Sequence, residues 1–137
     1  MGLYNVFKIA GSALSAQSVR LNTVSSNLAN ANTVSSTPEE AYRARQPLFA
    51  SVLSSVDGGP ASVGVQVAGI VESTAEPQRE YQPGNPLADA NGYVYKSNVN
   101  PVEEMANMIS ASRSYQNSVE VLNTSKELLL KTLTLGR

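Results

Sequence analysis

From Val102 to Leu135 the sequence contains neither Gly nor Pro, and both ends of this run carry helix signals. Asn100 is a capping residue. Pro101 suits the first helical position, where its missing N–H costs nothing, and Glu103 sits where a carboxylate can reach back to the free N–H groups. Gly136 follows as a left-handed terminator. The prediction is one helix on the order of 50 Å long, at about 1.5 Å per residue. A helix of that length has to organise the rest of the chain.

Its apolar seam reads Met105, Met108, Ser112, Tyr115, Val119, Leu122, Lys126, Leu129 and Leu133. The steps alternate between three and four, a period near about 3.5 that belongs to a coiled coil. Ser112 and Lys126 interrupt the seam, and polar residues there weaken a pair while fixing its register. The competing reading is an amphipathic helix on an ordinary core, for which Ile109, Val121, Leu128 and Leu130 widen the stripe. Periodicity alone does not choose between them.

The other end of the chain favours the first reading. Leu3, Phe7, Ala10, Leu14, Gln17, Leu21, Val24, Leu28 and Ala31 form a second seam with the same alternation and one polar member. Only Lys8 and Arg20 carry side-chain charge in residues 1 to 33, whereas a solvated coiled coil flanks its seam with charges. Such a surface suits burial on several sides. Ala10, Gly11, Ser12, Ala13, Ser15 and Ala16 are all small, which lets other backbones approach closely; the alternative is a weak helix, with Gly11 costing about 1 kcal/mol relative to Ala.

Asn30, Asn32, Thr33, Ser35, Ser36, Thr37 and Pro38 end the first helix and open a mildly acidic middle segment, residues 34 to 100. Three strands are predicted there: Tyr42 to Leu53, demoted by Pro47 to an edge or a break; Val63 to Val67 continuing to Ile70 and Val71; and Gly92 to Tyr95. Asp57-Gly58-Gly59-Pro60 and Tyr81-Gln82-Pro83-Gly84-Asn85-Pro86 are bends. These strands are too few for a sandwich, so a small β element supported by the helices is expected. The organisation is therefore 1–33 helix, 34–100 β and loop, 101–137 helix: mainly α, with an antiparallel, coiled-coil-like pair of terminal helices. Matching the ends pairs Leu28 with Met105, Leu21 with Ser112 and Leu14 with Val119.

Composition disfavours chemistry. In 137 residues there is no Cys and no His, which removes disulfides, thiolate nucleophiles, the usual zinc ligands and the commonest general base. A net charge of -1 offers nothing to nucleic acid, and no run approaches the about 18 apolar residues of a membrane span. The N-terminus lacks the pattern of a cleaved secretory signal. Asp89-Ala90-Asn91-Gly92 is part of a calcium loop by composition, but Leu87 falls at the first ligand position and no Glu at the twelfth, so a hairpin turn at Asn91-Gly92 is preferred. Glu103 and Glu104 serve the helix dipole rather than acid/base chemistry. Tyr93, Tyr95 and Tyr115 lack the basic groove that base stacking needs. No catalytic site, cofactor or metal is expected.

Ala10-Gly11-Ser12-Ala13-Leu14-Ser15-Ala16-Gln17-Ser18-Val19-Arg20-Leu21-Asn22, followed by Ser26-Asn27-Leu28-Ala29-Asn30-Ala31, resembles the N-terminal motif of the bacterial flagellar rod and hook axial proteins. Pro83 to Val94, Ser110-Ala111-Ser112-Arg113-Ser114-Tyr115-Gln116 and the ending Glu120 to Gly136 resemble the proximal-rod members of that family. The resemblance is collinear over nearly the whole chain. It departs at Thr37-Pro38-Glu39-Glu40-Ala41, where relatives tend to have a glycine-rich turn.

The resemblance implies a structural subunit of the flagellar basal-body rod, in the periplasm, self-assembling into a tubular drive shaft that transmits torque and encloses an export channel. It implies export by the flagellar type III system without a cleaved signal. Its implied partners are copies of itself, the rod proteins FlgB and FlgF, the base protein FliE and a rod cap. Carried over by motif, Asn27, Leu28, Ala29 and Asn30, and Arg113, Ser114, Tyr115 and Gln116, become packing and assembly positions. Leu14, Gln17, Leu21, Val24, Met105, Ile109, Ser112, Val119, Leu122, Leu129 and Leu133 join them from the two seams. The competing functions are a non-flagellar, chaperone-like coiled-coil binding module, which the uncharged surface of residues 1 to 33 disfavours, and a peptidoglycan hydrolase, which lacks an acid/base pair.

Overall fold

The computed structural model describes residues 2–54 and 62–136 of the chain. In order these form α1 (Leu3–Asn30), β1 (Val34–Ser35), β2 (Arg45–Ser54), β3 (Ser62–Glu72), β4 (Gln78–Tyr81), β5 (Tyr93–Lys96) and α2 (Pro101–Leu135). The bend expected at Asp57-Gly58-Gly59-Pro60 lies outside the described residues.

α2 begins as its sequence requires. The Asn100 side-chain oxygen accepts from the N–H groups of Val102 at 3.1 Å and Glu103 at 3.4 Å, and Pro101 takes the first position. Its far end differs from expectation. Gly136 has φ of −89° and is not left-handed, because no packing at that end demands a sharp exit: every residue from Lys126 to Gly136 is exposed. α1 starts after Gly2 with no side-chain cap and ends in the polar patch. There Asn30 donates to the Ser26 carbonyl at 2.9 Å, and the Asn30 carbonyl accepts from the Thr33 hydroxyl at 2.7 Å.

The middle segment contains two antiparallel sheets. β2 and β3 form a long ribbon, while β1, β5 and β4 make a three-stranded sheet in that order. Pro47 is tolerated within β2, opposite Ile70, because each strand of a two-stranded ribbon has an unpaired edge. The register slips after Leu48, which pairs with Gly69 while Phe49 pairs with Val67, so Ala68 is the extra residue of a bulge. Sequence patterning missed β1, two residues inside the polar patch, and β4, whose four residues are all exposed and carry no alternation. Both are recruited by β5, whose Val94 is fully buried. The Pro38–Glu40 segment turns, with the Ser35 hydroxyl donating to the Glu40 carbonyl at 3.1 Å.

The turn before β5 also differs in kind from the Asn-Gly hairpin expected. Gly92 donates to the Asp89 carbonyl at 2.9 Å, and of Asn91 and Gly92 only Gly92 has positive φ, at 82°, whereas a two-residue Asn-Gly hairpin needs it at both positions. The Asp89 carboxylate closes this turn by accepting from the N–H groups of Asn91 at 2.8 Å and Tyr93 at 2.9 Å. A Cβ at Gly92 would lie 2.8 Å from the Tyr81 ring, which packs edge-on against Tyr93.

The buried apolar residues are Ala10, Ala16, Val24, Ala31, Ala41, Val94, Val99 and Ala111, all Ala or Val. The chain exposes 9066 Å², against about 6,900 Å² for a compact globule of 14.5 kDa. Among the described residues no leucine, isoleucine or methionine is fully enclosed within a single molecule's core.

Candidate assembly surface

α1 and α2 pack antiparallel, and α1 also carries the β2–β3 ribbon. The close approach to the ribbon is set by small residues. The Ser12 hydroxyl donates to the Ile9 carbonyl at 2.8 Å and accepts from the Val65 N–H at 3.2 Å, while Gly64 leaves just enough room, since a Cβ there would sit 3.1 Å from that oxygen. The run of small residues on α1 is therefore a packing surface on more than one side: Ala10 and Ala16 are buried, and Ser12 meets β3.

Where the two helices and β2 converge, Asn27 is 1% exposed. Its amide donates to the Arg45 carbonyl at 2.8 Å and to the Glu104 carboxylate at 3.0 Å. Its oxygen accepts from the Arg45 N–H at 2.9 Å and the Tyr42 hydroxyl at 3.0 Å. An asparagine side chain has two donors and two acceptor lone pairs, and all four are used. Asn107 extends the network, donating to Glu104 at 3.4 Å and accepting from Arg20 at 3.3 Å. Glu104 is thus more than a dipole partner for its helix: it is 6% exposed and ties α2 to α1. Sequence patterning missed this, because a glutamate in a first turn already has an adequate local explanation.

The network also corrects the register. Asn27 meets Glu104 and Arg20 meets Asn107, and Met105 is 53% exposed, so the pairing of Leu28 with Met105 does not hold. Polar contacts buried at the helix ends, rather than the longest apolar residues, choose the alignment. The inner face of α2 is correspondingly small and polar, with Glu104, Ala111 and Ser125 buried.

The predicted assembly residues divide accordingly. Val24 and Asn27 are buried; Leu14, Gln17, Leu21, Leu28, Asn30, Ser112, Val119 and Leu122 are half-buried; Ala29, Met105, Ile109, Arg113, Tyr115, Gln116, Leu129 and Leu133 are exposed. The Gln17 side-chain oxygen is buried without a hydrogen-bond partner among the described residues. Apolar residues on the ribbon are exposed too. Leu53 opposite Val63, Phe49 opposite Val67, and Ile70 opposite Pro47 lie on one face, the face away from Gly64, and Leu53, Val63 and Ile70 are more than half exposed.

Chemistry finds little purchase here. Among the described residues no group of His, Cys, Asp or Glu is arranged to hold a metal, and no helix is long and apolar enough to cross a membrane. The Asp89 carboxyl is held below its ordinary value chiefly by the Tyr93 N–H. Partial desolvation opposes this, and the Asn91 N–H, the Tyr95 hydroxyl and the Arg79 charge add to it. That carboxylate closes a turn; it is not a free ligand.

The helix pair is thus locked by polar contacts, with small side chains inside and large apolar ones outside. Residues 7–34 match the family model "Flagella basal body rod protein", and residues 90–135 match "Flagellar basal body rod FlgEFG protein C-terminal". The chain is 56% identical to flagellar basal-body rod protein FlgC of Salmonella typhimurium and of Escherichia coli O157:H7, and 55% identical to that of Yersinia enterocolitica; each alignment spans 100% of both chains. The chain belongs to the FlgC family of flagellar basal-body rod proteins.

Proposed function

We propose that the chain serves as a structural subunit of the flagellar basal-body rod, with no enzymatic activity, and that its outward apolar residues are completed by neighbouring subunits. The observation that carries the mechanism is the inversion of the helix pair: Ala111 and Ser125 face inward while Met105, Ile109 and Leu129 are left to solvent. Full-length likeness to FlgC proteins supports the role. In this reading residues 1–33 and 101–137 form the assembly core, pairing as coiled-coil-like staves of a tube around an export channel, and residues 34–100 form a lateral β domain. Leu14, Gln17, Leu21, Val24, Asn27, Leu28, Ala29 and Asn30 work with Met105, Ile109, Ser112, Arg113, Tyr115, Gln116, Val119, Leu122, Leu129 and Leu133 as packing positions. Stiffness under torque comes from the number of such contacts.

The neighbours proposed are copies of the chain, FlgB, FlgF and FliE, with a rod cap present during growth and delivery by the flagellar type III system. The test is deletion of the gene. Basal bodies are expected to stop before the rod is complete and cells to be non-motile; intact motile flagella would sink the reading.

A further inference from the structure

In an antiparallel strand pair every second residue turns its N–H and C=O away from the partner strand. The Val65 N–H goes to the Ser12 hydroxyl at 3.2 Å, so Val65 and Ser51, which stand opposite each other, are outward residues of the ribbon. Phe49, opposite Val67, and Leu53, opposite Val63, share that orientation. So does Arg45 at the root, where the Asn27 amide takes the place of a strand by bonding both its N–H and its C=O. Pro47 is the next outward position and has no N–H to offer.

The two outer edges of the ribbon are therefore unlike. The edge of β3 meets α1 at Val65. The edge of β2 beyond Pro47 is bare: among the described residues, Phe49, Ser51 and Leu53 find no hydrogen-bond partner outside the ribbon. Leu48, Phe49, Ser51, Val52 and Leu53 are exposed, and residues 46 to 53 carry no charge. The contrast is β4, which edges the other sheet with four residues that include Arg79 and Glu80. Short, charged strands of that kind repel pairing, whereas a long, uncharged, apolar edge invites it.

We infer that the outer edge of β2 from Phe49 to Leu53 accepts an extended segment of a neighbouring rod subunit as a third strand of the ribbon. The free groups select the form of the occupant. Three outward residues, each with an N–H and a C=O, match the backbone of another strand; a helix has already used its own backbone groups internally. The flanking side chains select its composition. Phe49 and Leu53 lie on one face of β2, and Leu48 and Val52 on the other, so the added segment is about five residues long, uncharged, and apolar on both faces. This inference rests on the rod reading above and adds to it a main-chain contact made by the β domain.

The test uses proline. Ser51→Pro removes the middle donor and places a ring on the outer edge, while every bond between β2 and β3 survives, as it does around Pro47. Ser51→Ala keeps the donor and is the control. In cells lacking the native gene, Ser51→Ala should swim as the native chain does. Ser51→Pro should lower both swimming and recovery of the chain in basal bodies about tenfold, with the midpoint of osmolyte-induced folding unmoved. Recovery of Ser51→Pro at the native level overturns the strand addition. Where the proline moves the folding midpoint, hydrogen exchange of the native chain in purified basal bodies decides. The amides of Phe49, Ser51 and Leu53 should exchange as slowly as those of Ala50 and Val52, and exchange at the rate of open amides overturns the inference. Neither result touches the rod reading, which falls only if cells without the gene build motile flagella.

Discussion

Asn27 shows how one buried amide can specify an arrangement that many apolar contacts leave open. Apolar side chains tolerate sliding, whereas a fully satisfied network has one geometry. Replacing Asn27 with Ala removes at once a partner of the Glu104 carboxylate, of the Tyr42 hydroxyl, which keeps only Ser26, and of both Arg45 backbone groups, and should cost about 3 kcal/mol. Asn27→Asp keeps the volume but replaces the donating amide with a carboxylate oxygen set against the Glu104 carboxylate and the Arg45 carbonyl, so it should be no better tolerated. The midpoint of osmolyte-induced folding measures both; an Asp variant matching the native protein would show that size, not donor placement, matters. Asp89 makes a pH-dependent contribution. Its folded carboxyl titrates below its ordinary value of 3.8, so its contribution is present above that value and is lost as pH falls through the lower, folded one. The near-UV signal of the Tyr81–Tyr93 pair should therefore weaken below about pH 4, and Asp89→Asn should remove that component.

At the scale of elements, α1 and α2 were legible because their signals are local and repeated. Asn100 and Pro101 mark a start, and a long run without Gly or Pro needs no tertiary information. The strand segments of β2 and β3 were legible for the same reason, though their pairing into one ribbon was not. β1 and β4 were not, because Val34–Ser35 and Gln78–Tyr81 are strands only by virtue of pairing with β5. The helix register was equally hidden: matching long apolar residues presumes that all of them meet across the pair, and here Met105, Leu129 and Leu133 are exposed while a buried polar contact joins Asn27 to Glu104. With Arg20 bonded to Asn107 and Val6 sharing a groove with Val121, the antiparallel register puts Ala16, 3% exposed, near the level of Ala111, 0% exposed. In a chain without native cysteines, Ala16→Cys with Ala111→Cys should form an intramolecular disulfide efficiently in assembled rods, ahead of Leu14→Cys with Val119→Cys. The opposite order, read by gel mobility, would restore the seam-matched register.

For the molecule as a whole, the balance of burial argues that folding and assembly are one process. The enclosed residues are alanines and valines, each returning little hydrophobic free energy, while the leucines that would contribute about 1.5–3 kcal/mol apiece wait for a neighbour. Ordering helices of 28 and 35 residues costs conformational entropy whether or not those leucines are covered. A long helix with one partner, whose last three turns have none, is marginal in isolation. The dilute chain should therefore be less than half as helical as the folded subunit. Its helicity should rise steeply with protein concentration, because association removes folded chains from the equilibrium. Circular dichroism across a concentration series measures this directly. A concentration-independent spectrum with full helicity would mean that the small-residue core and the Asn27 network suffice alone, and that the outward leucines serve contact without being needed for folding.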